Sequence, residues 1–432
     1  MRLMAIVILF LLACSNAKAQ QGFRMPAEWE PQEAVWIGWE DLFTSTLPVT
    51  VEMIRALHGH VAIRLSTYSD SLVSVAKNYL ADRDIDTNML SFYVHDHNDN
   101  YNMRDHGATF LVNGKGKLGV ADFGWSGYNA PGLIQLKYGN NADSLRKYMQ
   151  LYETGAALRG KVDSLMGATT GAINFPADVV IEGGSIEVNG RGTLILCEAV
   201  TFNRNPGITR TALESAFKKA LGVTHIVWVK QGPADDPWGF FRRITGNYVG
   251  GGTGGHTDEF VRFADPHTIF LSWVDEAEKD ANPINRMNYD RMQENFDMLK
   301  KEVDQDGKPF TIVKIPMPSL IVREGLAVAN RPRSDTGTTI SRLRFPPSEM
   351  PPVGELLYRV PASSYLNFLI TNGAVLLPTY VKHGTPANRE ADIIKHFQQY
   401  FPGREIKLID ALPLNWMGGG MHCATQPQPK TN

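Results

Sequence analysis

Cysteine is nearly absent from this chain, with three among 432 residues, at positions 14, 197 and 423. That count excludes a disulfide framework of the kind that stiffens many exported domains. A bias of charge is also missing: 43 basic side chains face 45 acidic ones, with no polybasic run. Neither nucleic acid nor an anionic membrane surface is therefore an implied partner. The N-terminal apolar run, Leu3 to Ala13, is too short to cross a bilayer as a helix, which leaves no transmembrane segment in the mature chain. What remains is the profile of a protein that handles a small substrate.

Met1 to Ala19 joins one basic residue, the apolar run and the small-x-small triplet Ala17-Lys18-Ala19. This is the pattern of a secretory signal cleaved before Gln20. The competing reading is a lipoprotein signal, Leu11-Leu12-Ala13-Cys14, with Cys14 lipidated. Either way the mature chain, 20–432, is expected to be one extracytoplasmic domain, secreted or periplasmic. Of the two remaining thiols, Cys197 closes the apolar run Thr193 to Cys197 and reads as core packing. Cys423 follows Gly418-Gly419-Gly420, where bare backbone can approach a ligand closely, and is the candidate nucleophile.

A repeat appears when a polar residue followed by a hairpin, a helix and a strand is sought along the chain. Asp105 precedes Ala108 to Val112, the turn Asn113 to Gly116, the run Lys117 to Val120, and a helical pattern from Ala142 to about Leu165. Glu182 precedes Ser185 to Val188, the turn Asn189 to Gly192, Thr193 to Cys197, a helix capped by Thr209 and the strand Thr224 to Val229. Asn-Gly between alternating runs is a strong hairpin signal, since a tight turn there wants positive φ. His256 precedes Phe260 to Phe263, a turn, Thr268 to Trp273, a helix from about Tyr289 to Val303 and the strand Phe310 to Ile315. Asn367 precedes Phe368 to Ile370, the turn Thr371 to Gly373, Ala374 to Pro378, a helix from about Asn388 to Tyr400 and the strand Glu405 to Ile409. Cys423 stands at the matching place of a fifth unit that lacks its own second strand. Ala34 to Trp39 is expected to supply that strand, followed by a helix near Val51 to Leu57 and the strand Val61 to Ser66. The expected fold is thus one closed α/β domain of five ββαβ units, a pseudo-symmetric α/β propeller that aims Asp105, Glu182, His256, Asn367 and Cys423 at a common axis.

A thiolate, an imidazole and carboxylates at one point, without metal-ligand spacing, suit nucleophilic attack on a cationic planar carbon. A guanidinium is such a target, because carboxylates hold its planar fork of donors while sulfur approaches the carbon. In Gly255-His256-Thr257-Asp258-Glu259 a base is followed two residues later by a carboxylate, on one face if the stretch is a strand. Glu182 is placed to orient His256. Two stretches compete for attention. Gly250 to Gly255 lacks the Lys-Ser/Thr of a nucleotide loop and reads as a mobile lid beside His256. His95-Asp96-His97-Asn98-Asp99 could bind a cation, but a metal is not the favoured reading.

These residues resemble those of the agmatine deiminases and the bacterial-type peptidylarginine deiminases, of the guanidine-modifying superfamily with the five-bladed pentein fold. The resemblance rests on Pro26 to Gln32 with Ala34 to Trp39, Met103 to Gly107, Glu182 to Ser185, Asn203 to Pro206, Gly255 to Phe260, Tyr365 to Phe368, Phe401 to Glu405 and Gly418 to Gln426, in that order. It implies Cys423 as nucleophile, His256 as general acid and base, Glu182 as its partner, and Asp105 and Asp258 as the guanidinium clamp. Asn367 joins them as a substrate-side residue. The implied reaction yields a ureido compound and ammonia through a covalent thiouronium, with no metal or organic cofactor. The favoured substrate is agmatine, giving N-carbamoylputrescine for putrescine biosynthesis, with peptidyl arginine as the alternative and a homodimer as the expected assembly. Departures fall at the substrate's other end: Tyr101-Asn102-Met103 where the family has Trp ahead of Arg-Asp, Gly252 where it has an acid, and Phe123 to Gly127 in place of Asn-x-Trp-Gly-Gly. Amidino transfer and a non-catalytic extracytoplasmic binding propeller are the readings of other classes. Arg242 and Arg243 would face the site if the substrate carried a carboxylate.

Overall fold

The computed structural model describes residues 20, 22–40, 44–330 and 338–431. The signal sequence expected over 1–19, with Cys14, lies outside them. Four times along the chain a short antiparallel hairpin is followed by a strand returning parallel to the hairpin's second strand. These are Thr109–Val112, Leu118–Gly124 and Ile173–Val180; Glu187–Val188, Thr193–Cys197 and His225–Val229; Val261–Asp265, Thr268–Trp273 and Thr311–Pro316; and Leu369–Ile370, Ala374–Pro378 and Glu405–Ile409. Parallel return needs a long crossover, and each crossover here contains helix. The fifth sheet joins distant parts of the sequence. Gln32–Gly38 pairs antiparallel with Thr425–Pro429 and parallel with Ala62–Thr67, and Leu90–Val94 extends the sheet. The N-terminal run therefore supplies the strand that the Cys423 unit lacks. The architecture is mixed α/β.

The central strands Thr193–Cys197, Thr268–Trp273 and Ala374–Pro378 are buried at every position. Their near-continuous apolar sequence follows, since both faces are covered. Arg210–Leu221 shows how a crossover helix is specified: the Thr209 side chain accepts from Ala212 N at its start, and Gly222 in the left-handed region ends it. Its face of Leu213, Phe217, Ala220 and Leu221 packs with Leu194, Leu196 and Trp228. Truncating a buried ring such as Phe217 to Ala costs about 3–5 kcal/mol in such settings.

Several local expectations need correction. In the turns at Asn113-Gly114 and Asn189-Gly190 the asparagines do not take positive φ, which falls on Gly114 and Gly116, and on Gly190 and Gly192. Asn113 and Asn189 instead accept main-chain N–H groups with their own side chains, at Lys115 and Lys117 and at Arg191 and Thr193. The helical pattern expected from Ala142 to Leu165 is broken into Ala142–Glu153 and Val162–Thr170 by a 3-10 stretch, Ala156–Lys161. The helix expected from Tyr289 begins earlier, at Pro283, where the Asn282 side chain caps it. The sequence repeat also missed a whole sheet, in the order Gly239–Thr245, Tyr248–Gly252, Leu356–Arg359, Arg323–Val328, Thr339–Ser341. It has its own core of Phe241, Val249, Ala327, Ile340, Phe345 and Leu357. Among the described residues, no helix is long and apolar enough to cross a membrane.

Candidate active site

All five residues singled out at hairpin starts lie in the short stretch leading into the first strand of a sheet. Asp105 lies on the short helix Met103–His106 before Thr109, and Glu182 precedes the 3-10 turn Gly183–Ser185. His256 precedes the 3-10 turn Thr257–Glu259, Asn367 lies two residues before Leu369, and Cys423 two before Thr425. Asp258 thus reaches the site from a tight turn, not along a strand as its spacing suggested. All six side chains are buried, His256, Glu182 and Asn367 completely.

The structure brings them together. His256 Nε2 lies 3.2 Å from Glu182 Oε2, and Nδ1 lies 3.5 Å from Asp105 Oδ1. Cys423 Sγ is 3.4 Å from Asp258 Oδ2, and Asn367 Nδ2 donates to the same sulfur at 3.2 Å. Asn367 Oδ1 accepts from His422 N at 2.8 Å, which ties the nucleophile's loop to the neighbouring sheet. No side chain fits at Gly184, whose added Cβ would stand 2.6 Å from His256 Nδ1 and 2.8 Å from Asp105 Oδ1.

The charges pull in opposed directions. Burial acts to lower the His256 pKa, but Asp105, Glu182 and Asp258 outweigh it and raise it to about 9, so the imidazolium persists at neutral pH. Burial acts to raise Glu182, yet the Arg204 guanidinium and His256 hold it at about 2. Arg204 Nε grips both Glu182 oxygens at 2.9 and 3.0 Å. Asp105 is raised to about 6, by burial first and by Asp258 and Glu182 after it, against the pull of His256. Asp258 lies below its usual range, because His422 and His256 overcome burial. Burial pushes the Cys423 thiol well above its usual range, and Asp258, Glu259 and Asp105 push it further. Cys197, pushed up to about 12 by burial, is an inert core thiol as its apolar run suggested.

Several residues of the site were not assigned from sequence. His422 Nδ1 meets Asp258 Oδ2 at 2.7 Å, and its Nε2 meets Glu28 Oε2 at 2.8 Å. Glu28 also takes Arg104 at 2.9 Å and Arg262 at 3.3 Å. Arg104, next to Asp105 in the chain, is buried and bound to Glu28. Glu259 is buried beside the sulfur and accepts from Asn367 Nδ2 at 2.9 Å; burial and the surrounding carboxylates push its carboxyl far up. Tyr128 donates to Asp105 Oδ2 at 2.8 Å. Glu28 and Glu259 lay inside stretches already quoted, Pro26 to Gln32 and Gly255 to Phe260. Only their partners, hundreds of residues away for Glu28, show what they do.

Other expectations fail on contact. The glycine run is not a free lid: Tyr248–Gly252 is a strand, and Asp236 binds Thr253 N, Thr253 Oγ1 and Gly255 N at 2.5, 2.8 and 2.8 Å. A side chain at Gly252 would meet Asp236 Oδ1 at 1.9 Å, so the family's acid has no room there. Arg242 and Arg243 do not offer free charge to a substrate, since Glu349 and Glu355 bind them. His95 is held by Ser66 Oγ and Thr169 Oγ1, away from any shared cation site with His97. Asp258, Glu259 and Cys423 do place ligand-type atoms within 4.8 Å of one another, as do His267, Asp304 and Asp306. In the first group, however, His422 and Asn367 already bind the two carboxylates.

A buried thiol, an imidazolium held between carboxylates, and an Asp258 Oδ1 that has no donor among the described residues together suit a planar cation that sulfur can attack. The chain matches the family of Porphyromonas-type peptidyl-arginine deiminases over residues 24–429 and belongs to that family. It is accordingly a hydrolase that breaks a C–N bond of a guanidino group. It is 28% identical over 415 residues to an agmatine deiminase of Pseudomonas putida, spanning 94% of this chain and 96% of that one. It is 27% identical over 425 residues to an agmatine deiminase of Stutzerimonas stutzeri, spanning 96% and 98%. Among solved structures it superposes on an agmatine deiminase of Enterococcus faecalis with a TM-score of 0.70 at 23% identity, covering 96% of this chain and 97% of the other. An agmatine deiminase of C. jejuni gives 0.62 at 19% identity, covering 94% and 96%. At these identities the two structures speak for the fold.

Proposed function

We propose that this protein converts agmatine to N-carbamoylputrescine and ammonia, with Cys423, His256 and Glu182 as catalytic residues and Asp105, Asp258 and Asn367 holding the substrate. The observation that carries the reading is that Asp258, whose Oδ2 lies 3.4 Å from Cys423 Sγ, keeps a buried Oδ1 with no donor among the described residues. A guanidinium between the two carboxylates satisfies that acceptor and presents its carbon to sulfur. Its charge also lowers the cost of ionising a thiol that three carboxyl groups otherwise keep protonated. The thiol proton passes to solvent, sulfur adds to the central carbon, and the C–N bond breaks as His256 gives its proton to the departing ammonia. Water, deprotonated by His256, attacks the thiouronium carbon; the C–S bond breaks, the thiolate returns and the ureido product leaves. Glu182, fixed by Arg204, keeps the imidazole oriented and charged. The course calls on no metal or organic cofactor.

Agmatine is preferred over free arginine because Arg242 and Arg243 are neutralised and present no carboxylate receptor. The related agmatine deiminases, matched over nearly the whole chain, support the same choice. The reading includes a closed five-bladed propeller over residues 20–432 as one domain, supported by five equivalently built sheets and the pairing of Gln32–Gly38 with Thr425–Pro429. It also includes extracytoplasmic action, supported by the leader-like sequence before Gln20, and a homodimer. The test is colorimetry of ureido product from the protein beginning at Gln20, offered agmatine, free arginine and an arginine peptide, with Cys423→Ala as control. Turnover of agmatine alone supports the proposal, and turnover of the peptide moves the enzyme to the peptidylarginine branch. No turnover above the Cys423→Ala control would sink it.

A further inference from the structure

The segment between strands Leu118–Gly124 and Ile173–Val180 leaves the sheet and passes over the site. At its start Gly127, Tyr128 and Asn129 stand consecutively in the left-handed region, with φ of +59°, +61° and +57°. A bulky aromatic residue seldom adopts that conformation, and three in a row require outside support. The core does not provide it, since helices Ala130–Tyr138 and Ala142–Glu153 bury no residue. The support is polar: Asn129 Nδ2 donates to Asn203 O at 3.0 Å, Asn129 Oδ1 accepts from Gly132 N at 3.1 Å, and Trp238 Nε1 donates to Tyr128 O at 2.8 Å.

What this strained turn delivers is the Tyr128 side chain. Its hydroxyl donates to Asp105 Oδ2 at 2.8 Å, and its ring lies 6.0 Å from that of His256. Asp105 Oδ1 meanwhile accepts from Gly184 N at 3.1 Å and faces His256 Nδ1. The carboxylate is thus gripped from two sides by groups on different elements. We propose that Tyr128 is a positioning residue for the substrate cation, fixing the Asp105 carboxylate in the orientation from which it receives a guanidinium or amidinium group. This rests on the reading of Asp105 as a guanidinium ligand.

Asp105 sits among His256, Asp258, Glu182, Glu259, Cys423 and Tyr101, so its ionisation is finely opposed. Burial raises it to about 6, and the Tyr128 hydrogen bond draws it down. Without the hydroxyl the carboxyl keeps its proton to higher pH, and cation binding weakens on the acid side, a loss that a neutral reagent does not share.

The test compares the wild type with Tyr128→Phe, which retains the ring. Labelling of Cys423 is followed from pH 5 to 9 with 2-chloroacetamidine, a cationic amidine, and with neutral iodoacetamide. In both reactions sulfur displaces halide, the S–C bond forms and the thiol proton passes to solvent, so no turnover is needed. In the variant, amidine labelling at about pH 6 is expected to fall about ten-fold, the scale of one lost hydrogen bond to a charged group. Its acid midpoint is expected to rise by roughly half to one pH unit. Iodoacetamide labelling is expected not to fall, since no cation is recognised and a protonated Asp105 no longer pushes the Cys423 thiol up. Equal rates in variant and wild type with both reagents, or equal slowing with both, would overturn the proposal. Ureido formation measured in parallel separates the two ideas: selective loss of amidine labelling in a protein without turnover would keep Tyr128's role and remove the deiminase reading.

Discussion

Replacing Glu182 by Gln isolates the charge that keeps His256 protonated. The substitution preserves shape and an acceptor for Arg204 Nε, but removes the negative charge 3.2 Å from His256 Nε2. A hydrogen bond to a charged group is worth about 1.5–3 kcal/mol, and about 1.4 kcal/mol moves a pKa by one unit, so the imidazolium is expected to weaken by about one to two units. His256 stands at about 9 in the intact site. Since the departing ammonia takes a proton from the imidazolium, kcat/KM falls as pH rises through that value. In Glu182→Gln the falling limb is expected to lie about one to two units lower, with little change on the acid side. Arg204 is left as a buried cation without its carboxylate, and breaking such a pair costs about 3 kcal/mol or more. The assay is a pH series of ureido formation, paired with urea unfolding. A folded variant whose alkaline limb coincides with that of the wild type would refute the assignment of Glu182 to His256.

Gly184→Ala places a methyl group against His256 Nδ1, Asp105 Oδ1 and Asp258 Oδ2 at 2.6, 2.8 and 3.1 Å. A displacement near 1 Å is enough for a loss of about 100-fold in kcat with the circular dichroism unchanged, and activity within about ten-fold of wild type would count against this geometry. Arg242→Ala breaks the two-pronged contact with Glu349. It is expected to lower unfolding free energy by about 1–2 kcal/mol while leaving the preference between agmatine and an arginine peptide unchanged. A shift in that preference would show that Arg242 meets substrate.

What could be read from sequence was whatever repeats or lies close along the chain. The hairpins beginning at Thr109 and Glu187 announce themselves through Asn113-Gly114 and Asn189-Gly190, and the polar residue ahead of each hairpin is one that the structure carries into the site. Even there the turn mechanism differed, because the asparagine side chains do the work assigned to their backbone. The sheet built on Gly239–Thr245 and Arg323–Val328 repeats nothing, and its middle strand Leu356–Arg359 pairs with Tyr248–Gly252 and Arg323–Val328 across several intervening elements, so no local period marks it. Glu28 and His422 are 394 positions apart and meet only through the fold. Tyr128 follows a glycine in what reads as an ordinary loop, and its left-handed backbone leaves no mark in composition.

The antiparallel pairing of Gln32–Gly38 with Thr425–Pro429 sets a schedule for the enzyme's appearance. Gln32–Gly38 is synthesised hundreds of residues before Thr425–Pro429, so it must wait for all the intervening chain before it gains that neighbour. The loop that seats Cys423 leads directly into the late strand and is tied to Asn367 on a separate sheet. A growing polypeptide can therefore build the sheets of Glu182 and His256 long before it owns a nucleophile. Its reactive sulfur arrives only when the frame that restrains it is already standing.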